Sequence, residues 1–196
     1  MNNKWRSVEK SCNTVIICAS GPSLIKKDCD LVCASGHTVI AVNSTWLAIP
    51  DCDYIYSTDY NWWHNNINLL PPSPERWTSN RKAFKEFSLN LFPIHDGGTF
   101  NSGQRAILFS AQLGAKNIIL LGYDCSINNG IHWHGTHSSS SNPDVSTTIR
   151  WQREFEVIGK ALCNDIHIIN CSRYTEITCF RRLPLELALA EIAGRC

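Results

Sequence analysis

The stretch "NTVIICASGPSL", residues 13–24, decides how the chain is expected to fold. A run of apolar and β-branched residues ends in a Ser-Gly-Pro-Ser turn, and a helical pattern follows the turn. An apolar run without polar alternation is typical of a strand that is buried on both faces, as in a parallel sheet. The turn itself is either a simple chain reversal or a loop that holds a phosphate group.

Similar apolar runs alternate with helical patterns along the whole chain. Strands are predicted at 14–19, 38–43, 54–58, 117–124 and 166–171, with 89–94 as a weaker candidate, and helices at 23–33, 60–70, 102–114, 146–163 and 184–193. This alternation predicts one α/β domain over residues 1–196, with a Rossmann-like, mainly parallel sheet and helices on both faces. A polar, proline-rich connection is predicted at 71–82, and a lid loop at 127–148 after strand five, the strand at 117–124.

Composition and charge exclude several classes of protein. Hydrophobic residues make up 43% of the chain and the formal net charge is +1, which gives no electrostatic basis for general nucleic-acid or membrane binding. No apolar run is long enough to cross a bilayer, and the N-terminus lacks the apolar core of a signal peptide, so we expect a cytoplasmic protein. The ten cysteines include no CxxC pair, which favours reduced thiols over a zinc site or disulfide framework. Homo-oligomer formation is left open.

Polar residues and glycines follow the predicted strands, where ligands bind in doubly wound sheets. These candidate nucleotide-binding residues are Ser20, Gly21, Pro22, Ser23, Asn43, Ser57, Asp59, Asn101, Ser102, Gly103, Gly122 and Asp124. We expect Gly21 to let the backbone approach a ligand closely, and Ser23 to cap the next helix. The start of the helix at Ser102 offers a second anion-facing turn. Plain turns and helix caps are the alternative interpretation of each segment.

The predicted lid contains three histidines, His132, His134 and His137. No cysteine or carboxylate adjoins them in the sequence to complete a metal site, so a general base is the favoured role and no metal site is predicted. An imidazole has a pKa of about 6.5 and accepts a proton from a hydroxyl group near neutral pH. Packing in the core or on the surface is the default expectation for the seven tryptophans, and Trp62, Trp63 and Trp133, beside the predicted cleft, are candidates to stack on a ring.

Four motifs occur in the order of one known family: "GPSL", "VN" after the second strand, "NSGQRAILFSAQLGAKNIILLGYD" and "NCSRYTEITCF". The chain resembles the bacterial sialyltransferases of glycosyltransferase family 42 over residues 13–192. It is similar more loosely to a wider group that includes archaeal 6-hydroxymethylpterin diphosphokinase-like proteins and phage proteins of unassigned function. The resemblance implies a Rossmann-like fold and chemistry on an activated nucleotide.

The resemblance also implies roles for the strand-end motifs. The turn at 19–23 would contact a cytidine nucleotide, with Ser20 where the family has asparagine, and Asn43 matches the family's asparagine after the second strand. The segment from Ser57 to Asp59 falls where the family has a further asparagine. Asn101-Ser102-Gly103 would contact the donor, Gly122-Tyr123-Asp124 would lie near ribose or base, and a histidine of the lid would be the catalytic base.

The sequence and the resemblance together support three functional hypotheses. The leading hypothesis is a glycosyltransferase that needs no metal and uses a nucleotide sugar, with a CMP-type donor favoured and the acceptor unspecified. The alternative enzyme is a Mg-dependent diphosphotransferase that uses ATP, in which Asp59 and Asp124 would bind the metal. The third is a protein that binds or degrades nucleotides without transferase activity.

Overall fold

Eight strands form one sheet in the computed structural model, which describes residues 13–94, 98–128, 130, 133 and 144–194. They are β1 (Thr14–Cys18), β2 (Thr38–Val42), β3 (Tyr54–Tyr56), β4 (Glu75–Thr78), β5 (Asn90–Leu91), β6 (Asn117–Leu121), β7 (His167–Asn170) and β8 (Arg181–Arg182). Their order is β5-β4-β3-β2-β1-β6-β7-β8, and each pairing is parallel. The predicted Rossmann-like α/β fold with a mainly parallel sheet is confirmed.

The direction in which the chain builds the sheet reverses at β1. From β1 the chain adds β2 to β5 on one side, and then returns to place β6 on the other side of β1. The loops that leave β1 and β2 therefore diverge from those that leave β6, which opens a crevice at the carboxyl ends of these strands.

Helices lie on both faces of the sheet. They are α1 (Lys26–Ala34), α2 (Tyr60–Asn66), α3 (Arg81–Phe87), α4 (Ser102–Gln112), α5 (Val145–Leu162) and α6 (Leu185–Ala193), with short 3₁₀ helices at Asn43–Leu47 and Ile67–Leu69. None of the described helices combines the length and the apolar character that a membrane-spanning segment requires.

Alternate residues of each central strand supply two separate cores. In β1, Ile16 and Cys18 pack with α1, α2 and α6, whereas Val15 and Ile17 pack with α4 and α5. Both faces are covered, so all five residues of β1 are buried, which explains the continuous apolar run in the sequence. The cysteines that the structure describes are free thiols, and Cys18 belongs to the first core.

The segment at 71–82 differs from its prediction as a polar connection. It contains β4 and the start of α3, which Asn80 caps by accepting hydrogen bonds from the backbone N–H groups of Lys82 and Ala83. Strand β4 lies next to the edge strand of the sheet and has exposed or half-buried side chains at Glu75, Arg76 and Trp77. A strand that is only partly covered needs no apolar run, so its sequence carries little strand signal.

The weaker candidate at 89–94 is a strand of only two residues, β5, and the two-residue strand β8 was not predicted. Both lie at the edges of the sheet, where each has one neighbour to hydrogen-bond with. The predicted helix at 23–33 begins later, at Lys26, and Ile25 occupies its N-cap position. The prediction that Ser23 caps this helix is therefore wrong.

Candidate functional site

A cavity of about 330 Å3 lies at the carboxyl ends of β1, β2, β3 and β6. Helices α4 and α5 close it on the face of the sheet where Val15 and Ile17 are packed. Nine of the twelve predicted binding residues line the cavity: Ser20, Gly21, Asn43, Asp59, Asn101, Ser102, Gly103, Gly122 and Asp124. The fold thus brings together residues that are about a hundred positions apart in the chain, as the parallel topology requires.

Three predicted residues do not line the cavity: Pro22, Ser23 and Ser57. Ser57 is fully buried; its Oγ accepts a hydrogen bond from the Asp59 N–H, and its carbonyl accepts one from Trp63 Nε1. Ser57 thus serves the local structure of the loop after β3.

The predicted tryptophan stacking partners lie elsewhere. Trp62 and Trp63 are buried in the core between the sheet and α1, and Trp133 packs against the same core. None of the three belongs to the cavity wall, so the default expectation of core packing holds and the stacking role does not. The sequence showed that these residues follow a strand end, but not which face of the sheet they cover.

The turn after β1, residues 19–23, uses its backbone donors within the protein. The Gly21 N–H donates to the Gly122 carbonyl at 2.9 Å, and the Ser23 N–H donates to Asp124 Oδ2 at 2.8 Å. The Ser23 hydroxyl also donates to Asp124 Oδ1. These contacts fasten the loop after β1 to the loop after β6, so the N–H groups of Gly21 and Ser23 are not available to a phosphate.

Glycine is required at positions 21 and 122 because the loop after β1 lies directly against the loop after β6 at these two residues. A Cβ atom on Gly21 would overlap the Gly122 carbonyl oxygen and lie 2.5 Å from Asp124 Oδ1. Gly122 has φ +68°, and a Cβ atom there would lie 2.9 Å from the Ala19 carbonyl carbon. Gly21 therefore permits the approach of a neighbouring loop, where the sequence suggested the approach of a ligand.

Asp124 is buried beneath this pair of loops, with 3% of its surface exposed. Burial raises the pKa of its carboxyl above the ordinary value, while the hydrogen bonds from Ser23 act in the opposite direction. Both carboxylate oxygens accept hydrogen bonds from Ser23. Asp124 thus links two loops at the base of the cavity as well as lining it.

The start of α4 opens directly into the cavity. Asn101 and Gln104 form a reciprocal capping box, in which each side chain accepts a hydrogen bond from the other residue's backbone N–H. Ser102 Oγ accepts a hydrogen bond from the Thr58 N–H at 3.0 Å, which ties the helix start to the loop after β3. The Gly103 carbonyl accepts one from the Tyr123 hydroxyl at 2.9 Å. A firmly held helix N-terminus presents a partial positive charge to the cavity.

Asn43, directly after β2, has two unusual features. Its backbone is left-handed, with φ 51°, which is uncommon for a residue other than glycine. Its side-chain oxygen Oδ1 is buried and accepts no hydrogen bond among the described residues. An unpaired buried acceptor costs about 1–3 kcal/mol, and strained backbone conformations concentrate at ligand sites.

Asp59 lines the cavity from the loop after β3 and also begins α2. Its Oδ1 accepts hydrogen bonds from the backbone N–H groups of Asn61 at 2.8 Å and Trp62 at 3.3 Å. Asp59 is therefore the N-cap of α2.

An aromatic wall on α5 completes the cavity and was not predicted. Thr148, Trp151 and Phe155 line it, at the spacing of i, i+3 and i+7 that places side chains on one face of a helix. The Trp151 carbonyl accepts a hydrogen bond from Gln104 Nε2, and Phe155 makes an edge-to-face contact with Tyr123 at 5.9 Å between ring centres. The helical pattern at 146–163 contained this signal, since a tryptophan and a phenylalanine occur one turn apart on the same face.

Cys125 and Ile177 also line the cavity and were missed. Cys125 has a left-handed backbone, with φ 51°, and burial raises the pKa of its thiol to about 12. A thiol with that pKa is protonated at neutral pH and is a poor nucleophile.

Ile177 belongs to the loop after β7. The neighbouring Glu176 N–H donates to the Asp124 carbonyl at 2.9 Å, which brings this loop to the site.

The lid histidines His132, His134 and His137 lie outside the described residues. Within the predicted lid, the Trp133 N–H donates to the Ser20 carbonyl at 2.9 Å. The chain therefore passes over the turn after β1, beside the cavity, at this position. Since α5 begins at Val145, the last residues of the predicted lid belong to a helix.

The charged side chains that line the cavity are Asp59 and Asp124, and neither lysine nor arginine lines it within the described part of the chain. The same part of the chain contains no group of three or more histidines, cysteines and carboxylates arranged to hold a metal ion. Positive potential at this site comes from the start of α4.

No protein-family model matches the chain, and a comparison with curated proteins finds no match.

Proposed function

We propose that the cavity binds a nucleotide and that the chain is a glycosyltransferase that uses a nucleotide-activated sugar, with a CMP-type donor favoured. The observation that carries the proposal is Asn43. Asn43 lines the cavity, its backbone is strained, and its side-chain oxygen is buried without a hydrogen bond among the described residues. A ligand that donates a hydrogen bond to Oδ1, such as the amino group of a base or a hydroxyl of a sugar, would account for both costs.

The size and the lining of the cavity support a nucleotide as the ligand. A volume of about 330 Å3 falls within the range of small-molecule sites, about 300–1,000 Å3. The aromatic wall of Trp151 and Phe155 suits a planar base, and the start of α4 suits a phosphate group. Since no basic side chain of the described residues reaches the cavity, one phosphate group is better matched to it than two or three.

The proposed reaction breaks the bond between the sugar's anomeric carbon and the phosphate oxygen and forms a bond from that carbon to an acceptor oxygen. The start of α4 would stabilise the charge that develops on the leaving phosphate. The acceptor's hydroxyl proton would pass to one of the lid histidines, His132, His134 or His137. Among the described groups of the cavity wall, the Tyr123 pKa is raised well above its ordinary value by burial, which makes this hydroxyl unsuitable as the base.

The Mg-dependent diphosphotransferase is the alternative enzyme. It requires Asp59 and Asp124 to bind the metal, but both carboxylates already accept hydrogen bonds from backbone N–H groups. Metal binding would have to replace or share these contacts, which supports the metal-independent reaction. Binding without transfer is the third candidate, and it becomes the better one if none of the lid histidines is the base.

A thermal-shift screen against CMP, CDP, UDP, GDP, ATP and NAD tests the proposal. A ligand at a hundred times its Kd stabilises the folded state by about 2.7 kcal/mol, and we expect the largest rise in Tm with a cytidine nucleotide. The site itself is tested with Asn43→Gly, which removes the side-chain oxygen and relieves the left-handed strain. We expect an unchanged or higher Tm without ligand and about tenfold weaker nucleotide binding.

The matched control for this variant is Ser88→Gly. Ser88 also has a left-handed backbone, with φ 53°, but it is exposed at the end of α3 and outside the cavity wall. It should reproduce the gain in stability and leave nucleotide affinity unchanged. Binding by Asn43→Gly as tight as that of the wild-type protein would exclude Asn43 as a ligand contact, and the absence of any nucleotide-induced shift would overturn the proposal.

Turnover is measured with the nucleotide that binds. We expect activity to survive EDTA, and one of His132→Ala, His134→Ala and His137→Ala to lose turnover by at least about a hundredfold while nucleotide binding is retained. Inactivation by EDTA that magnesium reverses would favour the diphosphotransferase. Full activity in all three histidine variants would show that the base lies elsewhere.

A further inference from the structure

A second cavity, of about 380 Å3, lies at the carboxyl ends of β7 and β8, between α1 and α6. Its polar lining consists of Asp28, Ser172, Arg173, Arg182 and Glu186. It is distinct from the cavity at the carboxyl ends of β1, β2, β3 and β6, which we call the nucleotide cavity after its proposed ligand, since no residue lines both. A hydrogen bond links the walls of the two cavities: the Tyr123 N–H donates to Ser172 Oγ at 2.7 Å.

Arg173 is held in a fixed position in this cavity by Asp28. The carboxylate is buried, with 4% of its side chain exposed, and accepts from Arg173 Nη2 at 2.7 Å and from Nε at 3.2 Å. The Arg173 side chain itself remains 41% exposed. The ion pair leaves the Nη1 donors of the guanidinium uncommitted to Asp28, and a guanidinium that is already oriented loses less entropy when a ligand binds.

Arg182, which also lines this cavity, is held by backbone carbonyls. Its Nη2 donates to the Arg173 carbonyl at 3.0 Å and to the Ser172 carbonyl at 3.4 Å. Ser172 is itself held in place, because its N–H donates to Asn170 Oδ1 at 3.0 Å. Two of the three guanidinium nitrogens of Arg182 have no contact with these carbonyls.

The charges around the cavity leave one cation without a counter-ion. Asp28 pairs with Arg173, and Glu186 pairs with Lys27 at 2.8 Å. Arg182 forms no ion pair with a carboxylate in the described ranges. The charged side chains that line the cavity balance, with Asp28 and Glu186 against Arg173 and Arg182. Because Lys27, from outside the lining, engages Glu186, Arg182 is the lining cation without a carboxylate partner among the described residues.

We propose that this second cavity binds an oxyanion, the phosphate or carboxylate group of a small molecule, between Arg173 and Arg182. Guanidinium groups match the geometry of both groups, because their planar N–H donors form paired hydrogen bonds with two oxygens. Helix α6 begins at Leu185 in the cavity wall, and the N-terminus of a helix favours an anion further. The proposal does not depend on the function of the nucleotide cavity.

Titration calorimetry with inorganic phosphate, and separately with acetate, tests this site. We expect saturable binding of at least one of the two ions to the wild-type protein, with a Kd of about 1 mM. Tighter binding of phosphate identifies a phosphorylated ligand, and tighter binding of acetate identifies a carboxylate ligand. No saturable binding of either ion would overturn the proposal.

The variant Arg182→Gln should weaken binding by about tenfold or more, because it removes the lining cation that has no carboxylate partner among the described residues. The matched control is Arg181→Gln, on the preceding residue of β8. Arg181 pairs with Glu191 at 2.9 Å and does not line the cavity, so this variant should bind the ion as the wild-type protein does. Binding that persists unchanged in Arg182→Gln would place the ion elsewhere and overturn the proposal.

A second variant removes the other guanidinium without leaving a buried charge unpaired. In Asp28→Asn/Arg173→Gln both members of the ion pair become neutral amides, which avoids the cost of an isolated buried carboxylate. We expect the same loss of ion binding in this double variant. Wild-type affinity in a folded double variant, checked by an unchanged unfolding transition, would contradict the role of Arg173.

Discussion

The turn after β1, residues 19–23, and the start of α4, residues 101–103, look alike in the sequence but differ in the structure. Each is a short segment that contains the pair Ser-Gly and lies at the carboxyl edge of the sheet. In the first, the N–H groups of Gly21 and Ser23 donate to the loop after β6. In the second, side chains cap the helix and the helix N-terminus opens into the cavity. A glycine-rich turn after a buried strand therefore indicates a close approach, but not whether the approaching group is a ligand or the protein itself.

Gly21→Ala should have the largest effect on stability. The added Cβ would overlap the Gly122 carbonyl oxygen and lie 2.5 Å from Asp124 Oδ1, so the two loops must separate. We expect the free energy of unfolding, measured with urea, to fall by about 3 kcal/mol or more. Nucleotide affinity lost with stability unchanged would show instead that Gly21 faces a ligand, and the contrast between the two turns would disappear.

Asp124→Asn should change how stability depends on pH. An aspartate in the unfolded chain has a pKa of about 3.9, and burial raises the pKa of Asp124 above its ordinary value in the folded protein. The folded state therefore holds this proton more tightly, so the resulting stabilisation is full below the unfolded pKa and is lost as pH rises through the folded pKa.

The measurement is the difference in the free energy of unfolding between wild type and Asp124→Asn across this pH range. The wild-type protein should lose stability relative to the variant as pH rises through the raised pKa of Asp124. Other titrating groups, such as Asp144, are common to both proteins and cancel in the difference. A difference that is constant, or that increases with pH, would contradict burial as the dominant influence on Asp124.

Gly103→Ala should have the smallest effect on stability. Alanine favours a helix over glycine by about 1 kcal/mol, and this gain offsets a tight contact of 3.3 Å between the added Cβ and the Tyr123 ring. We expect the free energy of unfolding to change by less than about 1 kcal/mol, while nucleotide affinity falls because the methyl group lies at the cavity wall. A loss of stability as large as that of Gly21→Ala would show that both turns have the same structural role.

The strands that were predicted best are those buried on both faces. Strands β1, β2 and β6 have continuous runs of apolar residues because helices cover them on either side. Strand β4, with the sequence Glu-Arg-Trp-Thr, lies near the edge and carries no such run, and β8 consists of two exposed arginines. Strands near the edges of the sheet are less buried, so their sequences contain fewer of the apolar residues by which a strand is recognised.

The candidate site was predicted where it depends on the ends of strands and missed where it depends on packing between distant segments. Asn43 and Asn101 follow from the rule that ligands bind at the carboxyl edge. Trp151 and Phe155 were detectable as one face of α5, but nothing in the sequence showed that this face covers the cavity. Ile177 reaches the site because the Glu176 N–H donates to the Asp124 carbonyl, a contact between segments 52 positions apart.

By itself, the sequence determined the parallel α/β architecture and the edge of the sheet at which polar residues gather. Both follow from local chemistry, since β-branched runs form buried strands and parallel strands place their ends together. The tertiary structure decided which of those polar groups remain available to a ligand. Gly21 and Ser23 use their N–H groups in contacts with the loop after β6, whereas Asn43, which lines the cavity, has a buried side-chain oxygen without a hydrogen bond among the described residues. That distinction depends on hydrogen bonds between segments far apart in the chain, which no local pattern encodes.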